Sequence, residues 1–166
     1  MTYDDFVDAS LAGLSRYALM LAGDPHTAQD LVQETMVRAR ERWHRVSVTA
    51  SPERYVRRML TNLYIDWHRA PWRRRVHLRA DPAEWAVPDD HAQRAADRDE
   101  IWQALTALPR QQRAAVVLRY YEDRADQEIA DILGCSVGAV RGYISKALST
   151  LRARAGAAQL STGGFR

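Results

Sequence analysis

The sequence has a single cysteine, Cys135, so it can form neither an intramolecular disulfide nor a CxxC metal site. No stretch approaches the ~20 apolar residues of a membrane-spanning helix, and the N-terminus has no apolar segment typical of a signal peptide. Strand-like alternation of apolar and polar residues is also missing over any convincing length. We therefore expect a cytoplasmic, all-α protein without membrane insertion, whose one thiol suits a reducing compartment.

Signatures of catalysis are absent as well. The chain has neither an HExxH motif nor a nucleophile elbow, and nothing in the sequence pairs with Glu34 or Glu128 as a second catalytic carboxylate. Its five histidines are scattered, at positions 26, 44, 68, 77 and 91. The sequence therefore predicts no catalytic residue, no metal site and no cofactor.

Charge is segregated along the chain, although the formal net charge is only +3. Residues 1–34 carry one Arg against six acids, whereas residues 38–79 carry twelve Arg against three acids. Residues 80–101 carry seven acids against two Arg, and residues 136–166 carry five basic residues and no acid. Solvated helix faces explain one charged run but not this segregation. Two basic blocks separated by an acidic one indicate two sites for a polyanion.

The 166 residues, 46% of them apolar, are enough for two small helical domains with packed cores. Helical periodicity runs nearly throughout but fails around Pro82 and Pro88, within an acidic stretch. The sequence therefore predicts a first domain over 1–75, a flexible acidic linker over 76–94, a second domain over 95–155 and a flexible tail over 156–166.

Capping residues predict where the helices of the first domain begin and end. A helix over about 3–22 ends at Gly23, Asp24-Pro25 opens the next, and Ser51-Pro52 opens a third after a loop at about 44–50. In the second domain the periodicity predicts helices over about 92–107, 110–122, 126–133 and 136–154.

The last two helices have the pattern of a helix-turn-helix. Ile129, Ala130 and Leu133 form the inner face of the first helix, Gly134 permits a left-handed turn, and Ser136 caps the second helix. In such a unit the N-terminal part of the second helix enters the major groove, where Arg and Lys donate to guanine or to phosphate. An ordinary α-hairpin in a helical bundle is the alternative. The predicted DNA-binding residues here are Arg141, Ser145, Lys146 and Arg152.

A second predicted DNA-binding surface lies in the basic block of the first domain. Arg58, Asn62, Asp66 and Arg69 follow one another at helical spacing, within about 80° of one face. A run of arginines with interleaved tryptophan follows, which suits phosphate neutralisation and stacking on unpaired bases. In that run, the predicted DNA-binding residues are Trp72, Arg73 and Arg74.

The order of these segments resembles the extracytoplasmic-function (ECF) group of the sigma-70 family, in particular its actinobacterial SigE-like members. The stretch Asp30-Leu-Val-Gln-Glu-Thr35, followed by Arg38 and Trp43, resembles the segment that binds the polymerase clamp. Leu108-Pro109 with Arg113, the run 117–121 and the helix-turn-helix resemble the domain that reads the −35 element. Together the resemblance spans about 150 of the 166 residues.

The resemblance implies a transcription initiation factor and assigns it partners. The chain would bind core RNA polymerase at its clamp and flap regions, and it would bind promoter DNA. An anti-sigma factor is a further candidate partner. The helix with Arg58 and Asn62 would melt and read the −10 element, with extruded bases held by Asn62 and the loop at 44–51. The residues expected to bind the polymerase are Asp30, Gln33, Glu34 and Arg38.

Three positions depart from the family pattern, which commonly has Phe at Met36, Thr at Ala139 and Arg at Lys146. The last change keeps the charge but loses the guanidinium fork, so the −35 preference can differ. The main alternative is a stand-alone helix-turn-helix regulator. It accounts for residues 95–155 but leaves the polar face at Arg58 and Asn62 unexplained.

Overall fold

The computed structural model describes residues 1–67 and 100–162, with side chains as far as Ala157. Within these ranges the secondary structure is helical and contains no strand, which confirms the expected all-α fold. The chain forms two compact units, Met1–Ala92 and Gln93–Arg166. The predicted linker and four predicted DNA-binding residues lie outside the described residues. Those residues are Arg69, Trp72, Arg73 and Arg74.

The first helix of unit 1, α1, spans Tyr3–Ala22 as predicted. Its start is fixed by a reciprocal pair: the Asp5 amide donates to Thr2 Oγ1 at 3.2 Å, and the Thr2 amide donates to Asp5 Oδ2 at 2.9 Å. Hydrogen bonding of the Asp5 carboxylate to the side chain and to the backbone amide of Thr2 holds the pKa of the Asp5 carboxyl below its usual value. Gly23 ends the helix in the left-handed conformation, with φ of 79°.

The next two long helices, α2 at Pro25–Glu41 and α4 at Pro52–Asp66, also begin where their caps predict. Asp24 Oδ1 accepts from the Thr27 amide at 2.8 Å, and Ser51 Oγ accepts from the Arg54 amide at 3.3 Å. Both helices have proline in the first turn, where the missing N–H costs nothing.

The predicted loop at 44–50 is partly wrong, because a short helix, α3, spans Trp43–Val46. Its two ends are held by packing: Val46 is fully buried, and the Trp43 ring lies 5.5 Å from that of Tyr3 and 5.2 Å from that of Phe6. These contacts reach across the chain to α1, so local sequence does not reveal them. Only the residues after Val46 form the turn that precedes α4.

The core of unit 1 lies where α1, α2 and α4 meet. Helix α4 contacts both of the other long helices, so it buries a wide arc that includes polar residues. Arg57 and Thr61 are buried there beside apolar neighbours. The fully buried large side chains of this core include Leu14, Tyr17, Leu21, Leu31, Val32 and Leu60.

In unit 2 the described part begins with a helical segment over 100–106, α5. Helix α6 spans Arg110–Val116 and continues as a π-helical turn over Val117–Tyr121, where the sequence predicts an unbroken α-helix. Arg113 joins α5 to α6, since its Nη2 donates to the carbonyls of Thr106 at 3.0 Å and Leu108 at 3.3 Å. Those carbonyls would otherwise lack partners at the end of α5.

The last two helices are α7, Asp126–Leu133, and α8, Val137–Thr162. Helix α8 continues past Gly156, where the sequence predicts the start of a flexible tail. The buried face of α7 also differs from expectation. Ile129, Ala130 and Ile132 are buried, whereas Leu133 is only partly so. This follows because α7 contacts both α6 and α8, so its buried arc includes Ile132.

Candidate nucleic-acid interface

The turn between α7 and α8 has the geometry that the helix-turn-helix pattern predicts. Gly134 adopts a left-handed conformation with φ of 66°, and the Cys135 amide donates to the Ala130 carbonyl at 3.1 Å. Ser136 Oγ then accepts from the Ala139 amide at 3.1 Å, at the start of α8. Partial burial raises the pKa of the Cys135 thiol above its usual value.

Arg141, Ser145 and Arg152 lie on one exposed stripe of α8. Helix geometry places them within about 40° of one another. They line an open cleft of about 330 Å³, whose other lining residues are Arg119, Asp126, Ile144 and Leu148. The structure therefore brings together three of the four residues predicted to contact DNA from this helix.

Lys146, the fourth, is exposed but lies elsewhere on α8. It is about 140° around the helix axis from Arg141 and does not line the cleft. Arg154 is also turned away, because its Nη1 donates to the Gln103 carbonyl on α5 at 3.3 Å. A single row of four DNA contacts on α8 is therefore not present.

Two residues of the cleft were missed by sequence reasoning, Asp126 and Arg119. The Arg141 Nε donates to Asp126 Oδ2 at 3.2 Å, and Arg119 forms an ion pair with Asp126 Oδ1. Asp126 is the first residue of α7, whereas Arg119 lies in the π-helical turn. The two contacts join residues 7 and 15 positions apart in different elements, and no periodicity of the sequence signals them.

On unit 1, Arg58, Asn62 and Asp66 are all exposed and follow one face of α4, as predicted. The opposite side packs into the core through Val56, Leu60 and other buried residues. Arg69, which the sequence predicts to belong to this row, lies outside the described residues. The described part of the row therefore presents one cation, one amide and one carboxylate to solvent.

The outward face of α2 carries the four residues predicted to bind the polymerase. Gln33 is exposed, and Asp30, Glu34 and Arg38 are half-buried. Arg38 forms an ion pair with Glu34: the Nε and Nη2 atoms of Arg38 lie 2.9 Å and 2.8 Å from Glu34 Oε1. This i, i+4 pair is partly solvent-exposed, so it contributes little to the stability of the fold.

Sequence reasoning missed two exposed apolar residues beside these surfaces. Val37 is 56% exposed on α2, within one helical turn of Gln33 and Glu34, and Val48 is 81% exposed in the turn before α4. Isolated exposed valines are ordinary on protein surfaces. Their position next to predicted binding residues makes them additional candidates for contact.

The described residues contain no group of three or more His, Cys, Asp or Glu side chains placed to hold a metal ion. Over the same part of the chain, none of the helices combines the length and hydrophobicity needed to cross a membrane. Among the described residues, the predicted binding residues lie on two polar surfaces of unit 1 and around an arginine-lined cleft of unit 2.

Comparison with known families matches both units. Residues 6–74 match the family model Sigma-70 region 2, and residues 98–151 match Sigma-70, region 4. The RNA polymerase sigma-E factor of Streptomyces avermitilis is 33% identical over 152 residues, which cover 92% of this chain and 84% of that protein. The ECF RNA polymerase sigma factor SigL of Mycobacterium tuberculosis is 35% identical over 149 residues, covering 87% and 84%.

Solved structures agree on the fold. The sigma factor RpoE of Bartonella quintana, in complex with the anti-sigma factor NepR, superposes with a TM-score of 0.71 at 22% identity, over 90% of this chain and 94% of that one. CnrH in complex with the cytosolic domain of CnrY gives 0.63 at 23% identity, over 93% and 88%.

The chain therefore belongs to the sigma-70 family of RNA polymerase sigma factors, in its ECF group. This confirms the resemblance drawn from the sequence. A stand-alone regulator is not favoured, because it does not account for the match of residues 6–74 to region 2. Proteins of this family are typically initiation factors rather than enzymes.

Proposed function

We propose that this chain binds core RNA polymerase through the outward face of α2 and directs it to promoters through α4 and α8. The observation that carries the proposal is the order of two family regions on two compact units, each with an exposed polar surface. The chain is proposed to act in the cytoplasm, by binding rather than by catalysis. An anti-sigma factor is a candidate partner, since the similar structure from Bartonella quintana was determined with one.

The cleft on α8 is proposed to meet the −35 element. An α-helix fits the major groove, and Arg141 near the start of α8 can donate to the edge of a guanine. Arg152, about three turns further along the same stripe, is suited to a phosphate. Lys146, on another side of the helix, is proposed to contact phosphate as well and not a base edge.

The exposed row on α4 is proposed to take part in opening the −10 element. An asparagine amide both donates and accepts, so Asn62 can bond the edge of an extruded base. Unstacking a base costs a few kcal/mol, which its new contacts must offset. Arg69, Trp72, Arg73 and Arg74 follow in the sequence and are proposed to neutralise phosphates and stack on unpaired bases.

The polymerase-binding surface is proposed to comprise Asp30, Gln33, Glu34 and Arg38 with Val37 among them. Protein interfaces commonly surround an apolar contact with polar groups, and Val37 supplies that contact here. The Glu34–Arg38 pair fixes both side chains before binding, so less side-chain entropy is lost on association.

The test is whether sequence-specific DNA binding requires both the chain and the polymerase. Duplexes randomised across the −35 and −10 elements are incubated with the chain alone, with Streptomyces coelicolor core polymerase alone, or with both, at one fixed salt concentration. We expect enrichment of defined sequences only with both together. Tight, sequence-specific binding by the chain alone would instead favour a stand-alone regulator.

A further inference from the structure

Arg141 is an exposed cation in the cleft of α8, and the carboxylate of Asp126 holds it. Its side chain is 72% exposed, whereas that of its partner Asp126 is 23% exposed. A long exposed arginine samples many rotamers, and ordering it against a base costs conformational entropy. The hydrogen bond to Asp126 restricts this freedom before DNA arrives.

The bond engages the Nε edge of the guanidinium, at 3.2 Å from Asp126 Oδ2. It therefore does not occupy the two terminal nitrogens, Nη1 and Nη2. These two nitrogens form the edge that donates in a bidentate fashion to O6 and N7 of a guanine. The geometry thus leaves the base-reading edge available while the rest of the planar group is held.

The carboxylate is itself held from the other side. Arg119 in the π-helical turn pairs with Asp126 Oδ1, while Arg141 uses Oδ2. The π-helical turn is the element that carries Arg119, and such turns often occur at functional sites. One aspartate between two arginines from different elements therefore forms a fixed support for Arg141.

We propose that Asp126 is a positioning residue for base recognition: its carboxylate holds the Nε edge of Arg141 so that Nη1 and Nη2 face a guanine in the major groove. The inference rests on the proposed role of α8 in reading the −35 element. It assigns Asp126 a role that its charge alone would not suggest, because a carboxylate near DNA repels phosphate.

A competing role makes the opposite prediction. In the competing role, the hydrogen bond from Arg141 to Asp126 must break before Arg141 can bind DNA. Removing the carboxylate would then raise the affinity for every DNA sequence and leave base discrimination intact. If Asp126 positions Arg141, removal weakens discrimination at the one base pair that Arg141 reads. Non-specific affinity would stay constant or rise, since one negative charge near the phosphates is lost.

The experiment uses the 166-residue chain assembled with Streptomyces coelicolor core polymerase and duplexes randomised across the −35 element. The variants are Asp126→Asn, Arg141→Ala and the double variant, each checked for folding by circular dichroism. Asp131→Asn is the matched control, because Asp131 is an exposed acid on the same helix bonded to Gln127 and not to Arg141. Asp126→Glu tests whether a carboxylate at this position is sufficient.

We expect Arg141→Ala to lose the preference for one base pair. Asp126→Asn should reduce the preference at that same pair by roughly three- to tenfold, which is part of the ~5- to 150-fold preference that a bidentate contact supplies. Asp126→Glu should restore some of the preference, Asp131→Asn should leave it unchanged, and the double variant should match Arg141→Ala.

Three other outcomes would contradict either the positioning role of Asp126 or the proposed function. If Asp126→Asn leaves base discrimination unchanged while Arg141→Ala loses preference at one base pair, the positioning role is overturned. The proposed function then remains intact. A further loss of discrimination when Asp126→Asn is added to Arg141→Ala shows that Asp126 acts independently of Arg141, and it overturns the positioning role too. No base preference in the wild-type holoenzyme contradicts the proposed function itself.

Discussion

The hydroxyl groups of Tyr17 on α1 and Thr61 on α4 lie 2.8 Å apart in the buried core of unit 1. Thr61 Oγ1 also donates its single hydrogen to the Arg57 carbonyl at 2.8 Å, so Tyr17 is the donor of the pair. This bond joins α4 to α1 on the buried side of α4. Asn62, the next residue, is exposed.

Replacing Tyr17 with Phe should therefore destabilise unit 1. The Thr61 oxygen would lose its donor in a site without water access, and we expect a loss of about 0.5–1.5 kcal/mol in the free energy of unfolding. Native-state hydrogen exchange of the α1 and α4 amides measures this unit by itself. Tyr3→Phe is the matched control: Tyr3 donates to the Met36 carbonyl in a part-buried site, where water can replace it at lower cost. Equal losses in both variants would contradict the account.

Exchanging the charges of Glu34 and Arg38, as Glu34→Arg with Arg38→Glu, should impair binding to core polymerase. The exchange keeps an i, i+4 ion pair and so preserves α2, but it reverses the charge pattern that the partner meets. We expect at least a tenfold weaker affinity, or about 1.4 kcal/mol, measured by titration of labelled core polymerase.

The control for this exchange is Asp8→Arg, a charge reversal at an exposed position of α1. It should leave the affinity for core polymerase near the wild-type value. If the α2 exchange also leaves it unchanged, with a normal circular dichroism spectrum, α2 is not part of the interface.

Asn62→Ala should separate DNA binding from DNA opening. Asn62 is uncharged and exposed on α4, so it adds little to the general attraction for DNA and nothing to the core. Binding to core polymerase and to the −35 element should stay near normal. Open-complex formation should fall, because the extruded base loses a partner while the cost of unstacking remains.

Permanganate reactivity of the −10 thymines measures this opening. A template with a pre-melted −10 bubble should restore only part of the activity, since the bubble removes the opening cost but not the recognition of the base. Gln111→Ala, which removes an exposed amide from α6 in the other unit, should leave reactivity unchanged. Wild-type reactivity in Asn62→Ala would exclude Asn62 from strand opening.

Arg141 and Arg152 should differ in the kind of binding they supply, although both line the cleft of α8. Arg141→Ala should lose roughly 1–3 kcal/mol of discrimination at one −35 base pair. Arg152→Ala should weaken binding evenly across sequences and reduce its salt dependence, as expected of a phosphate contact. Equal losses on every sequence in both variants would mean that Arg141 reads no base.

The helix boundaries were largely predictable because their causes are local. Asp24-Pro25 and Ser51-Pro52 cap their helices through amides three residues ahead, and Gly134 supplies a left-handed turn within its own motif. Each signal lies within a few residues of the boundary it sets. The all-α fold and the exposed faces of α4 and α8 follow from the same short-range patterns.

Features that depend on packing between elements could not be predicted. Arg57 is 5% exposed, at a position where hydrophobic patterning predicts an apolar residue. Its guanidinium pairs with Glu53 Oε1 at 2.7 Å and lies over the Tyr17 ring, 5.2 Å from the ring centroid. Helix α3 likewise depends on the packing of Trp43 against α1.

In the candidate site the same limit applies. Arg141 and Ser145 were found from the motif, but Asp126 and Arg119 were not, because the contacts that join them arise only when α7 and the π-helical turn meet α8. Lys146 follows Ser145 directly in the sequence, yet it does not line the cleft. A helix turns by about 100° per residue, so adjacent residues point in different directions.

Run-off transcription tests the central claim most directly. Genomic fragments are transcribed by core polymerase with the wild-type chain, with the exchanged Glu34 and Arg38 variant, or without any added factor. We expect discrete transcripts from a limited set of start sites with the wild-type chain, and few or none in the other two reactions. The same transcripts from core polymerase alone, or an unchanged pattern with the exchange variant, would contradict the account of this chain as the promoter-directing subunit bound through α2.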